Sequence, residues 1–210
     1  GNMIGDYEQG WERKMPETIE DVHRNDWECV MTIPENQWGY HANWFGHVKT
    51  SSELIEMLVK AVSLDGNFVL NFGPEASGKG RVEELKLAEE IGDWMTVNKD
   101  VIYGCGHLNW KKQDWGYYTV NRKTGKKYMV VFNKPVSGAL RVKTLGSQSV
   151  DGAYLISESQ SSLKVEKIYK DEYIIHLSGA EPSDKPFVIV IDEKGDSKED
   201  DNSVHQKAKT

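Results

Sequence analysis

Residues 50 to 98 read as a helix, a buried strand and a second helix in direct succession, and that order constrains the fold more than any other part of the sequence. Thr50-Ser51-Ser52-Glu53 has the form of a capping box, and Leu54, Ile55, Leu58, Val59 and Val62 then recur at helical spacing until Asp65-Gly66 supplies a stop. Asn67-Phe68-Val69-Leu70-Asn71-Phe72, closed by Gly73-Pro74, is an apolar run of strand length, as expected for a parallel sheet buried on both faces. After a glycine-rich turn, Val82, Leu85, Ala88, Ile91 and Met95 mark a second amphipathic helix. An earlier apolar run, Cys29-Val30-Met31-Thr32-Ile33, reads as a further buried strand. Strand, helix, strand, helix predicts an α/β arrangement to about Asn98.

Beyond Tyr103 the texture changes to short β-rich runs separated by turn signals at roughly 8 to 12 residues, the spacing of an all-β sandwich. Strands are expected near Gly116 to Val120, Lys127 to Phe132, Ala139 to Thr144, Ser149 to Ile156, Leu163 to Ile168, Tyr173 to Leu177 and Phe187 to Val190. Asn121-Arg122-Lys123-Thr124-Gly125 reads as a hairpin loop between the first two. From Glu193 onward Lys, Asp, Glu and Ser crowd out apolar residues, which predicts a solvated, disordered tail. Residues 1 to 49 are irregular and rich in Trp, Glu, His and Asn, the texture of loops hung on strand ends. Gly1 to Asp6 has neither a basic nor an apolar leader region, and the chain is expected to be a fragment of something longer.

A net charge of −7 is opposite to what a phosphate backbone selects, so no nucleic-acid partner is expected. Apolar runs such as Phe187 to Ile191 fall far short of the roughly 20 residues that cross a bilayer, so no membrane span is expected. Cys29 and Cys105 form no CxxC pair, and a single disulfide between them is open. His23, His47, His107, His176 and His205 are scattered singly; no metal site and no cofactor are expected.

Gly73-Pro74-Glu75-Ala76-Ser77-Gly78-Lys79-Gly80 has the spacing of a phosphate loop up to its last position. The chemistry is wrong: Gly80 stands where a magnesium-binding hydroxyl is needed, Pro74 deletes a cradle N–H, and Glu75 repels phosphate. A plain glycine-rich βα turn is the better reading.

Three clusters could carry chemistry. Gly5-Asp6-Tyr7-Glu8-Gln9-Gly10-Trp11-Glu12-Arg13 packs carboxylates, aromatic rings and a cation together, a mixture suited to sugars, whose apolar faces stack on rings while carboxyl groups serve as acid and base. Asp26-Trp27-Glu28-Cys29 leads into a strand, and Glu28 there could equally be an ion-pair partner. Asn36-Gln37-Trp38-Gly39-Tyr40-His41-Ala42-Asn43-Trp44 is too aromatic for an ordinary loop; packing against a neighbouring domain and ligand contact are both open.

The order Trp27-Glu28-Cys29, Met31-Thr32, Trp38-Gly39-Tyr40, a helix, Gly66 to Pro74, Ile91-Gly92-Asp93-Trp94-Met95-Thr96-Val97-Asn98 and Ile102-Tyr103-Gly104 resembles the later catalytic domain of family 29 α-L-fucosidases, over about residues 5 to 104. The resemblance implies the last strands and helices of a (β/α) barrel over 1–104, an antiparallel β-sandwich over 105–192 and a tail over 193–210. It implies a retaining hydrolase acting on terminal α-L-fucosyl linkages of an oligosaccharide or glycoconjugate, with no cofactor, in a periplasmic, secreted or lysosomal setting. Such enzymes pair an aspartate nucleophile with a carboxylic acid/base about 5 to 5.5 Å away. The nucleophile belongs to an upstream segment absent from this chain, so an N-terminal part of the same enzyme, if present as a separate chain, is an implied partner and the chain alone is expected to be inactive. By spacing to Trp38 the acid/base matches Glu12, with one residue inserted relative to the commoner pattern; Glu28 ranks second and Glu8 third. Trp38 matches an aromatic position lining the C5-methyl side of fucose. The competing class is a carbohydrate-binding or structural module without catalysis, which would close on itself where a fragment exposes an apolar face.

Overall fold

The computed structural model describes residues 7–23, 26–159, 161–177 and 185–193. Its first half is built on a three-stranded parallel sheet, in the order β1 (Glu8–Glu12), β2 (Trp27–Thr32), β3 (Asn67–Asn71). Parallel neighbours need a long crossover, and α1 (Ser51–Ser63) supplies it between β2 and β3. The helix starts where the capping box predicts. The Thr50 N–H donates to the Glu53 carboxylate at 2.7 Å, and the Glu53 N–H donates to the Thr50 hydroxyl at 3.2 Å. It ends when Asp65 turns to φ 61° and the Gly66 N–H returns to the Ala61 carbonyl at 2.8 Å. Gly66 is required for another reason too: a Cβ there would stand 2.1 Å from the ring of Trp27, which is fully buried and donates its indole N–H to the Leu64 carbonyl. Trp27, Cys29 and Met31 alternate along β2 onto Ala61 and Leu64 of the α1 region, which fixes the covered face of this sheet.

α2 (Val82–Asn98) leads into the second half. There β4 (Cys105–Gly106), β5 (Gly116–Asn121), β6 (Lys127–Val131), β11 (Phe187–Asp192) and β8 (Gly152–Leu155) form one antiparallel sheet in that order. β7 (Ala139–Lys143), β10 (Glu172–His176) and β9 (Lys164–Lys167) form another. Side chains of β6 and β11 alternate between two cores. Met129, Val131, Ile189 and Ile191 pack with Leu140, Val142, Tyr173 and Ile175 of the three-stranded antiparallel sheet. Tyr128, Val130, Val188 and Val190 pack with Ile55, Val59 and Trp94 of the two helices. The five-stranded sheet is therefore covered on both faces, by a sheet and by helices. An α/β part followed by antiparallel sheets is the fold class expected from the sequence.

Three features differ from expectation. β1 falls within residues read as irregular, because its pairing is main-chain pairing to β2 and needs no apolar alternation. α2 buries Trp94, Asn98 and Glu84, while Val82 and Leu85 of the periodic set are exposed; only the C-terminal half of the helix, through Ile91, Trp94 and Met95, reaches the core. Cys29 and Cys105 are both free thiols, which closes the disulfide option. Asp6 and the tail from residue 194 lie outside the described residues. Among the described residues no closed barrel is present, and no helix is long and apolar enough to cross a membrane.

Candidate active site

Parallel register sets the geometry of the site. Glu12 pairs with Val30, and Thr32 pairs with Asn71, so the ends of β1, β2 and β3 leave the sheet at one edge. Three connections rise from that edge. The first begins at Arg13, whose φ of 55° breaks β1. The second, residues 33–49, folds back on itself: a bridge joins Pro34 to Val48, the Glu35 N–H donates to the His47 carbonyl at 2.8 Å, and the Lys49 N–H donates to the Ile33 carbonyl at 3.1 Å. The third, residues 72–81, is the glycine-rich turn, closed by the Glu75 N–H on the Lys79 carbonyl at 2.8 Å and by Gly78 at φ 81°.

These connections touch one another. The Arg13 guanidinium donates to the Asn36 side-chain oxygen at 2.9 Å and lies 5.8 Å from the centre of the Trp38 ring. Arg81 lies 5.9 Å from the Tyr40 ring centre. Gly73 passes so close to Gly39 and Tyr40 that a Cβ on it would be 2.5 Å from the Gly39 carbonyl carbon, which is why that position is glycine. Trp38 and Tyr40 are 37% and 44% exposed, enough to offer ring surface to a ligand while resting on their cations.

The glutamates named from sequence fall at different ends of the sheet. Glu12 is the last residue of β1, exposed, and adjacent to the arginine that meets Trp38, so the two share an edge. Glu28 is the second residue of β2, half-buried and opposite Asn67. It lies four residues before Thr32, about 13 Å along the strand. Glu8 begins β1, opposite Trp27. By the register, Glu12, Val30 and Glu28 point away from α1, toward the face that the helix does not cover. Val69 on that face is 40% exposed.

Several residues at the edge went unmarked in the sequence. Arg13, Tyr40 and Arg81 stood in segments already quoted or nearby, but nothing in the one-dimensional pattern pairs each cation with its ring. Glu84, in the first turn of α2, is buried, and burial holds its carboxyl above the ordinary range against the opposing pull of Arg81 and the Gly73 N–H. One of its oxygens has no hydrogen-bond partner. Lys49 is buried to 5% exposure, although a lysine before a helix cap ordinarily reads as solvated. Among the described residues no group of three or more His, Cys, Asp or Glu is disposed to hold a metal ion.

An exposed carboxylate beside cation-backed aromatic rings can bind a polyhydroxylated ligand and exchange a proton with it. Comparison with known proteins gives that chemistry a family. Residues 1–100 match the family described as Alpha-L-fucosidase. A crystal structure of a family 29 α-L-fucosidase from Bacteroides thetaiotaomicron superposes with a TM-score of 0.85 at 39% identity, over 99% of this chain and 45% of that one. A glutamate-to-glutamine variant from the same organism, a trapped covalent intermediate in complex with 2-fluoro-fucosyl fluoride, matches with a TM-score of 0.85 at 42% identity, over 91% of this chain and 44% of that one. The α-L-fucosidase of Dictyostelium discoideum is 28% identical over 178 residues, which are 81% of this chain and 38% of that protein. The chain thus spans less than half the length of the relatives it matches, and within that span both its motif order and its fold follow those of the family 29 α-L-fucosidases.

Proposed function

We propose that this chain provides the closing strands, the acid/base and part of the sugar pocket of a retaining α-L-fucosidase whose nucleophile lies in an upstream portion. Residues 1–104 are the barrel part and 105–192 a β-sandwich that backs it. The single observation carrying this reading is the contact of Arg13 with Asn36 and Trp38, since it puts Glu12 and Trp38 at one edge, the C-terminal ends of parallel strands, where barrel active sites gather. Glu28 points from the other end of the sheet, which ranks it below Glu12.

The mechanism follows from two carboxyl groups. Glu12, protonated, donates its proton to the glycosidic oxygen as the upstream aspartate attacks the anomeric carbon; the aglycone leaves as an alcohol and a fucosyl ester forms. Glu12, now a carboxylate, takes a proton from water as that water attacks the same carbon, releasing fucose with its configuration retained and restoring the acid. Trp38 offers a flat apolar surface to the C5-methyl side of the sugar. The covalent intermediate trapped in a glutamate-to-glutamine variant of the Bacteroides thetaiotaomicron enzyme supports a covalent, retaining route for this chain's family. The parallel sheet is covered on one face only, whereas parallel sheets are ordinarily covered on both, which favours a part of a larger barrel over a free-standing binding module. The upstream portion is the implied partner and fucosylated oligosaccharides or glycoconjugates are the substrates.

The test needs this chain joined to its upstream portion. Glu12→Ala should lower turnover of fucosides with poor leaving groups by about a thousandfold, spare fucosyl-enzyme formation from activated aryl fucosides, and yield fucosyl azide of retained configuration when azide is added. The same leaving-group dependence and rescue in Glu28→Ala, with Glu12→Ala behaving as wild type, would reassign the role. The chain alone should turn over no fucoside, since it has no nucleophile to form the ester.

A further inference from the structure

We infer that Lys49 is a positioning residue for the loop that presents Trp38 and Tyr40, a role resting on the reading of that loop as part of the sugar pocket. A lysine is almost never buried to this degree without partners, because the ammonium loses its hydration. Here it has two. The Nζ donates to the carbonyl of Thr32, the last residue of β2, at 2.8 Å, and sits 3.2 Å from the Glu35 carboxylate. Thr32 is where the strand ends and Glu35 is on the outgoing leg of the loop, while Lys49 itself is on the returning leg. One ammonium therefore ties three points of the stem together.

The rest of the loop is built to transmit that anchor. On the returning leg, His47 Nε2 lies 3.0 Å from the Glu53 carboxylate, which also caps α1, so this leg is fixed to the helix. Above the stem, the Trp44 ring lies on Gly46 so closely that a Cβ there would be 2.2 Å from it. Such a self-packed loop moves as a unit, and Trp38, three residues beyond Glu35, goes where the stem directs it. The Arg13 contact supports the tip from the other side. Removing the ammonium leaves the Thr32 carbonyl and the Glu35 carboxylate without their shared donor, and frees the outgoing leg.

Two variants test this, Lys49→Met, which keeps the length of the side chain without its charge, and Glu35→Gln, which leaves the lysine in place should the first fold poorly. On the chain itself, hydrogen exchange of the stem amides of Glu35 and Lys49 should accelerate about tenfold in Lys49→Met and less in Glu35→Gln, while the amides of α1 keep their protection. In the enzyme completed by its upstream portion, Lys49→Met should raise KM for an aryl fucoside about fivefold with kcat within about twofold, and Lys49→Arg should recover part of that loss. Unchanged stem exchange in both variants overturns the anchor. Faster exchange with unchanged KM overturns the positioning role. A completed wild-type enzyme without fucoside turnover would instead remove the fucosidase reading, and the exchange experiment, which needs no substrate, would still decide the anchor.

Discussion

Two sheets in this molecule reverse the usual rule. Parallel sheets are ordinarily covered on both faces and antiparallel sheets often face water on one. Here the five-stranded antiparallel sheet is covered twice, and β6 is buried at every residue. The three-stranded parallel sheet is covered once, by α1, and β3 alternates between exposed and half-buried. The larger antiparallel sheet finds cover for both of its faces, the smaller sheet on one and the helices on the other. The parallel region carries the site and leaves one face for something else. What differs is self-sufficiency.

The largest effect belongs to the doubly covered sheet. Ile189 in β11 is fully buried between the two antiparallel sheets, and Ile189→Ala should cost about 3 kcal/mol by loss of transfer energy and the cavity left behind. Urea denaturation of the chain measures it. A cost below about 1 kcal/mol would mean that this region is no better packed than the open one.

Gly66→Ala comes next and acts on the covered face of the parallel sheet. The new methyl would collide with the Trp27 ring, which is buried and tethered to the Leu64 carbonyl and cannot swing away cheaply, so destabilisation of about 2 kcal/mol is expected. Gly92→Ala is the control. It sits on α2 with open space around its Cβ position, and removing a helix-interior glycine should stabilise by up to about 1 kcal/mol. Equal effects of the two substitutions would deny that close approach is what selects glycine at position 66.

How much of this was legible follows the same divide. α1 was readable from Thr50 and Glu53 because its capping box is a local, reciprocal bond pair. β6 and β11 were readable because their alternate residues enter different cores. The run Phe187 to Ile191 looked continuously apolar for the same reason, since both faces of β11 are buried. β1 was not readable, since its main-chain pairing to β2 requires no side-chain pattern. Of the site, the Trp38-Gly39-Tyr40 cluster was visible as an excess of aromatic residues. The buried state of Lys49 and Glu84 was not, because it depends on loops meeting across the sheet edge.

The two thiols sample the two regions directly. Burial pushes Cys29, under α1, up to about 12 and Cys105, on β4, up to about 11, both from an ordinary 9.0. The folded state therefore keeps protons that the unfolded state loses as pH rises above about 9. Stability from these groups is fully present below that pH, declines by about 1.4 kcal/mol per pH unit for each thiol above it, and is exhausted once each folded value is passed. Ellman titration at pH 8 should find neither thiol reactive until the chain unfolds. A fast-reacting Cys29 would show that the α1 cover opens readily.

The smallest effect is expected on the open face, where it is also the most informative. Val69 projects from β3 away from α1, 40% exposed, and a side chain that is already in contact with water loses little on truncation. In this chain Val69→Ala should change stability by less than about 0.5 kcal/mol. Joined to the upstream portion, the same substitution should cost about 1.5 kcal/mol, because the face would then be the interior of a barrel and the two lost methyl groups would come out of an apolar contact. Denaturant midpoints of the chain and of the completed enzyme, each with and without the substitution, give the comparison as a double difference that cancels effects on the unfolded state. A cost that stays small in both would mean the face is still open to water in the completed enzyme. The parallel strands would then not be closing strands of a barrel, and the site at their ends would need another explanation for how Glu12 meets its nucleophile.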